Sequence, residues 1–330
     1  MRAALTGLGW VTPLGADLAK VYDSLLAGSV AETRPIQNPE TGEVHLARTV
    51  PPKLVESLAR NPRLRRSSPI SYFAVAAAIA ALADAGCNPL TPDQAARTAV
   101  VFGVSNGGVI YTRRFYEQIL KQGANSASPL LFPETVYNAP ASHLAAALGI
   151  DGASYTLVGD NAVGMSALNL GAQLLALGEC DRVVVVGCEE VDWIVCEAFH
   201  DWLLAPTPMS EGGSAIVLER DGPISIQTCA GVSFSSRRGA VQALRRAVEG
   251  RDAALIVSGS NGSFIDRTER EVFSPQARWL FPKHQLGEAP GASALWQTVL
   301  AALAVRARDA RDALVPVVGF NQQASCVLIS

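Results

Sequence analysis

Asn161 stands in Val158-Gly-Asp-Asn-Ala-Val-Gly164, a turn of small residues between an apolar run at 155–158 and an Ala/Leu-rich segment. A side chain at the first turn of such a helix lies in the positive field of its N-terminus, where a thiol is acidified and a developing oxyanion is stabilised. Asn161 is neutral and a poor nucleophile, so the position reads as a nucleophile site without its nucleophile. The six cysteines, Cys87, Cys180, Cys188, Cys196, Cys229 and Cys326, show no CxxC or paired spacing and read as reduced core residues. Cys188 closes an all-Val run and Cys196 lies in apolar Trp193-Ile-Val-Cys196, so either could serve as a relocated nucleophile only with a base nearby. The four histidines offer few: His45 has no evident role, His143 reads as structural, and His200 and His284 remain open.

The elements that must hold these residues follow from periodicity. Met165, Leu168, Ala172 and Leu175 recur at helical spacing and stop at Gly178, and Arg182-Val-Val-Val-Val-Gly187 is a β-branched run of the kind covered on both faces. Together with 155–158 they form a strand, helix, strand unit. Ser68-Pro69 predicts an N-cap and N1 pair for an Ala-rich helix ending at Gly86. Later in the chain, 225–234, 254–257, 314–318 and 326–329 read as strands, and 239–249 and 292–305 as helices. Short apolar runs alternating with amphipathic helices predict parallel pairing with helices on both faces.

At the Asn161 elbow the chain resembles the β-ketoacyl synthase family of the thiolase fold, whose elbow carries Cys where Asn161 stands. Four further segments carry the resemblance in order: the opening Ala4-Leu-Thr-Gly-Leu-Gly-Trp-Val-Thr-Pro-Leu-Gly15, the Ser68-Pro69 helix ending at Gly86, the loop Val100-Val-Phe-Gly-Val-Ser-Asn-Gly-Gly108, and Ser210-Glu-Gly-Gly-Ser-Ala-Ile-Val-Leu-Glu219; the helix after the elbow also stops, at Gly178, about as far downstream as the family's does. The resemblance implies an α/β thiolase-like, five-layer αβαβα fold of two pseudo-repeated halves, 1–222 and a shortened 223–330.

The same resemblance locates two catalytic histidine positions by their flanks. Asp266 and Glu269 fit the acidic pair that follows the first, which falls on Ser258; Lys283, Gly287 and Gly291-Ala-Ser-Ala294 frame the second, which falls on Glu288. The triad positions thus read Asn161, Ser258 and Glu288. Condensation needs a thiolate to carry the acyl chain and two imidazoles to stabilise the enolate. Ser258 shows no basic partner in sequence, and an ionised Glu288 repels an enolate, so no catalytic residues are expected. The closing loop is reduced to Gly319-Phe-Asn-Gln-Gln-Ala324, which weakens a gating role for Phe320. Relatives carry lids where this chain is short, at 202–210 and 234–254.

These losses resemble chain-length factors, ketosynthase homologues that pair with an active ketosynthase in type II polyketide, polyene or aryl-polyene systems. The implied partners are an active ketosynthase and an acyl carrier protein. The dimer edge falls on Ala153, Ser154, Tyr155, Thr156, Leu157 and Val158, with helix 110–122 and loop 128–138 limiting the chain in a shared tunnel. Arg60, Arg63, Arg65 and Arg66 are weak candidates for carrier-protein docking, and Arg237, Arg238, Arg245 and Arg246 form a second basic cluster. The alternative is an enzyme of altered chemistry, an acyltransferase, hydrolase or malonyl decarboxylase acting on carrier-protein thioesters.

Bulk properties agree. At 330 residues, 49% hydrophobic and 17% charged, the chain has ample material for a large core. Its net charge of −3 and the lack of aromatics among its basic clusters argue against nucleic acid. No apolar stretch reaches bilayer length and no leader pattern opens the chain, so a cytoplasmic location is expected, with no membrane insertion, cofactor or metal.

Overall fold

The computed structural model describes residues 2–203 and 207–330. Among them are fourteen strands: β1 Arg2–Val11, β2 Arg34–Gln37, β3 Val44–Arg48, β4 Thr98–Val104, β5 Ser154–Val158, β6 Arg182–Glu189, β7 Met209–Ser210, β8 Gly212–Glu219, β9 Ile224–Thr228, β10 Val232–Ser233, β11 Leu255–Val257, β12 Arg278–Leu280, β13 Ala313–Val318 and β14 Gln323–Ile329.

Two half-sheets have the same plan. In the first, the order is β5-β4-β6-β8-β1; in the second it is β12-β11-β13-β14-β9. Numbered within its own half, each is ordered 3-2-4-5-1, which is the duplication the second half's pattern implied. The sheets are mixed, not parallel throughout: β4 runs parallel to β5 and β6, whereas β8 lies antiparallel to β6 and β1, and β14 antiparallel to β13 and β9. The segment between β6 and β8 carries helix Trp193–Leu203 and β7 and returns the chain antiparallel to β6, a reversal that hydrophobic patterning does not reveal. The first strands of the halves, β1 and β9, pair antiparallel over Arg2 to Leu5 and fuse the two sheets. Gly222 and Pro223 lie in the link between β8 and β9. The run 225–234 is interrupted, with β10 pairing to β14.

Helices complete five layers. Pro69–Asp84 covers the outer face of the first half-sheet, and Ala240–Val248 and Phe264–Val272 cover the outer side of the second. Between the sheets lie Val163–Leu177, stopped by Gly178 at φ +74°, and Ser293–Arg306, buried on every side from Ser293 through Ala304. One apolar cluster joins Leu8, Trp10, Leu168, Val185, Leu295, Val315 and Val327 across both halves. Helix Pro69–Asp84 sits so close to β1 that a Cβ on Gly7 or Gly9 would lie 2.1 Å from the carbonyl oxygen of Ala81 or Ala77.

Ser68 precedes this helix as expected, but its hydroxyl does not cap it. It donates instead to the Glu190 carboxylate at 2.7 Å, which also accepts Ile70 N–H at 3.0 Å and Ile110 N–H at 2.8 Å. One buried carboxylate thereby satisfies the N-termini of helices Pro69–Asp84 and Val109–Gln122. Among the described residues, no helix is long and apolar enough to cross a membrane.

Candidate functional site

Strand β5 delivers Asn161 to the start of helix Val163–Leu177 with 1% of its surface exposed. Its Nδ2 donates to Val318 O at 3.0 Å and its Oδ1 accepts Phe320 N–H at 3.1 Å. The preceding Asp160 accepts N–H bonds from Ala162 at 3.0 Å and from Asn321, and the amide of Gln323 at 3.4 Å. Gly319 makes the approach possible, because a Cβ there would lie 2.6 Å from Asp160 Oδ2. The elbow is therefore tied to the β13–β14 hairpin, and both polar atoms of Asn161 are occupied by main chain. Phe320 meets Phe199 edge-on at 6.2 Å, which connects the elbow to a cavity wall.

Ser258, fully buried at the end of β11, donates its hydroxyl to Glu269 and accepts Ser260 N–H at 3.0 Å. Glu269 also accepts Gly259 N–H at 2.8 Å, while Asp266, one turn earlier on helix Phe264–Val272, accepts the N–H groups of Asn261 and Gly262, both at 2.9 Å. The two carboxylates hold loop 258–263 in shape. The expectation that Ser258 lacks a proton-accepting partner is corrected here: the partner is Glu269, whose carboxyl is pushed up to about 7 by burial. It was hidden because Glu269 had a place in the flanking pattern but no contact assigned to it.

Glu288 and Lys283 are each 2% exposed and paired at 2.8 Å. Asn261 Nδ2 donates to the same oxygen, Oε2, at 2.7 Å, whereas Oε1 is buried without a partner among the described residues. Lys283 neutralises Glu288, so the expected repulsion of an enolate is corrected to a compensated buried pair. Arg48 Nη1 donates to the carbonyls of Lys283 and His284 at 3.4 and 2.9 Å, and burial lowers the Arg48 guanidinium from its ordinary range.

A cavity of about 310 Å³ lies beside this pair, lined by His45, Cys196, Phe199, His200, Asn261 and Glu288 among others. Of the three positions expected for a triad, Glu288 lines it. A second cavity, about 580 Å³, is bordered by Ser260, Asp266, Glu269 and Phe273 and by the ring stack Trp279, Phe281, His284, with centroids 5.8 and 5.4 Å apart. Sequence reasoning missed His45 as a lining residue, because its neighbours in space come from distant helices.

The remaining candidates separate clearly. Burial pushes Cys196 up to about 12 and Cys188 well above its ordinary value, so neither is a ready nucleophile. His143 bonds to buried Glu134 at 2.7 Å, the structural role expected of it. All six cysteines are free, as expected, and all but the partly buried Cys229 lie in the core; the sulfurs of Cys229 and Cys326 lie 3.5 Å apart. The hydrogen bond from Cys326 brings the Cys229 thiol down to about 6. Arg60, Arg63, Arg65 and Arg66 are all exposed, Arg60 paired to Glu56 and Arg63 bonded to Ala146 O at 3.3 Å. In the second cluster, Arg237 stacks over Phe264 at 5.2 Å and Arg245 bonds to Glu271 O at 3.0 Å. Part of the 202–210 region lies outside the described residues.

Strand β5 is the terminal strand of its half-sheet, with β4 on one side only. Tyr155 and Val158 are exposed on it, and Tyr116, Leu120, Leu130, Phe132 and Tyr137 are exposed on helix Val109–Gln122 and the 128–138 loop. Phe132 packs on Phe115 at 5.8 Å, so the loop and that helix present one apolar surface.

A family model described as "Beta-ketoacyl synthase, N-terminal domain" matches residues 2–222. Among curated proteins, 3-oxoacyl-(acyl-carrier-protein) synthase 2 of Coxiella burnetii (strain RSA 493 / Nine Mile phase I) is 25% identical over 221 residues, 66% of this chain and 49% of that protein. The Vibrio cholerae serotype O1 (strain ATCC 39315 / El Tor Inaba N16961) protein of the same name is 25% identical over 191 residues, 57% of this chain and 46% of that one. The chain spans about half the length of the curated relatives it matches. Among solved structures, a chain of "The ishigamide ketosynthase/chain length factor" superposes with TM-score 0.83 at 20% identity, covering 100% of this chain and 99% of that one. A chain of "Ketosynthase (ApeO) in Complex with its Chain Length Factor (ApeC) from Xenorhabdus doucetiae" gives 0.76 at 16%, covering 99% and 97%. These likenesses establish the thiolase-like ketosynthase fold.

Proposed function

Because the chain belongs to the β-ketoacyl synthase family, we propose that it works as a non-catalytic ketosynthase-like subunit, a chain-length factor that pairs with an active ketosynthase. Its pathway would be a type II polyketide, polyene or fatty-acid-like one using an acyl carrier protein. The observation that carries the reading is the commitment of every triad position to structure: Asn161 to the main chain of Val318 and Phe320, Ser258 to Glu269, Glu288 to Lys283 and Asn261. None offers a thiolate, and none offers a free hydrogen-bond donor to an enolate oxygen.

The unpaired β5 edge supports the partnership. An edge strand with exposed Tyr155 and Val158 is a template for pairing with another chain, and a ketosynthase presenting its own edge would extend the sheet across the dimer. Residues 153–158 are the proposed contact, with the apolar surface of 109–122 and 128–138 facing the shared tunnel. The exposed Arg60, Arg63, Arg65 and Arg66 are the proposed landing point for an acidic carrier protein, where charge sets encounter rate more than affinity. Residues 1–222 and 223–330 remain the proposed halves, and the proposed location is cytoplasmic.

One observation favours an altered enzyme, the hydrogen bond from Ser258 to a carboxylate poised near neutrality. Full burial of Ser258 argues against it, since no substrate carbon reaches the oxygen without opening loop 258–263. Two measurements separate the readings. Incubation with malonyl- and acyl-carrier protein, followed by intact-mass analysis, is expected to leave the chain unmodified; an acyl adduct on Ser258 would establish the enzyme. Co-expression with a ketosynthase encoded beside it is expected to give a stable heterodimer that Tyr155→Lys with Val158→Lys disrupts; a stable monomer that ignores the ketosynthase would remove the subunit reading.

A further inference from the structure

The β2–β3 hairpin is shaped by Asn38, 3% exposed, which donates its N–H to Glu43 O at 2.8 Å and accepts Gly42 N–H at 2.9 Å on its carbonyl and Glu40 N–H at 2.9 Å on its side chain. The turn fixes the start of β3, where Glu43 and His45, two residues apart, share one face of the strand. Helix Trp193–Leu203 brings Glu197 to that face, and Asn38 Nδ2 holds its Oε2 at 3.1 Å. His45 Nε2 ends 4.0 Å from Glu43 Oε1 and 4.0 Å from Glu197 Oε2. The imidazole is 9% exposed and its Nε2 is buried with no hydrogen-bond partner among the described residues. A buried ring nitrogen left unpaired is unfavourable, and 4.0 Å is too long for a hydrogen bond to either carboxylate.

We propose that Glu43, His45 and Glu197 form a site for a first-row divalent transition-metal ion, Zn²⁺ in the first instance. The three ligand atoms lie within 4.8 Å of one another. Atoms bound to tetrahedral Zn²⁺ at 2.0–2.1 Å sit about 3.3 Å apart, so each 4.0 Å gap must close by about 0.7 Å. The carboxylates have that freedom: Glu43 is 56% exposed and Glu197 38%. Two carboxylates match the ion's charge, the imidazole supplies the nitrogen that separates Zn²⁺ from the all-oxygen preference of Mg²⁺ and Ca²⁺, and Asn38 is the outer-shell group that orients Glu197. The ion would pin the hairpin to the helix and so fix one wall of the 310 Å³ cavity that His45 also lines. The proposal is independent of the subunit reading and revises the expectation of no metal.

The test uses the tag-free full chain after chelator treatment and dialysis. Titration calorimetry with ZnCl₂ is expected to give one equivalent, and Zn²⁺ but not Mg²⁺ raises the thermal midpoint. Glu43→Gln, Glu197→Gln and His45→Ala should each weaken Zn²⁺ binding about tenfold or more. If His45→Ala does not fold, the exposed Glu43→Gln still decides. No binding, equal stabilisation by Mg²⁺, affinity unchanged in the variants, or a Co²⁺ derivative showing thiolate charge transfer would each overturn the site.

Discussion

Replacing Lys283 with Met removes the cation from a pair whose members are each 2% exposed and whose charged atoms lie 2.8 Å apart. Glu288 is then left with Asn261 Nδ2 on one oxygen and nothing on the other. A buried carboxylate stripped of its counter-ion costs about 3–5 kcal/mol, and Glu288→Leu, which strands the ammonium, costs a similar amount. In Lys283→Met/Glu288→Leu both charges are gone and the chief remaining defect is the unsatisfied Asn261 amide, about 1–3 kcal/mol. The double variant should therefore lie at least about 3 kcal/mol above the sum of the singles. The assay is urea unfolding at one protein concentration, followed by far-UV circular dichroism and Trp fluorescence. Additivity within about 0.5 kcal/mol refutes the account of a compensated buried pair.

Gly9→Ala should destabilise the fold by about 1–3 kcal/mol through overpacking, since its Cβ would lie 2.1 Å from Ala77 O; a thermal midpoint equal to the parent's would contradict the close approach of β1. Burial raises the Glu189 carboxyl to about 8, above its unfolded value, so its contribution is present in acid and lost as pH rises towards 8. The parent should lose up to about 1.4 kcal/mol of stability per pH unit from this group in that window, and Glu189→Gln should flatten the slope; an unchanged slope assigns the pH dependence elsewhere. Brief alkylation with iodoacetamide at neutral pH should label Cys229 ahead of Cys188 and Cys196, because Cys229 is less buried than either and is acidified; peptide mapping that finds Cys196 first would reverse that order.

The layered α/β fold was legible because each element carries a local signal: Gly178 ends a helix in the left-handed region it favours, and the Val run of β6 is buried on both faces. Asn161 was legible for the same reason, since a small-residue turn between strand and helix announces itself. Strand direction was not, because β8 has a continuous apolar run like β6 yet pairs antiparallel to it. Contacts between distant segments were equally silent. Cys229 meets Cys326 across 97 residues, Asn38 meets Glu197 across 159, and neither pair has a spacing rule. Glu190 could be read as the end of a strand, but not as the group that closes two helix N-termini, a role that exists only after the layers have stacked.

The helix Ser293–Arg306 has no face turned to solvent along most of its length and is wedged between the two half-sheets. Its neighbours therefore belong to both half-sheets at once. Cutting the chain after 222 would strip that helix from the first half and bare a broad greasy surface, so the fragment is expected to aggregate when expressed by itself. In a chain with this architecture the second half cannot be removed in one step without unsealing the first, and retention of the whole scaffold follows from that piece of packing.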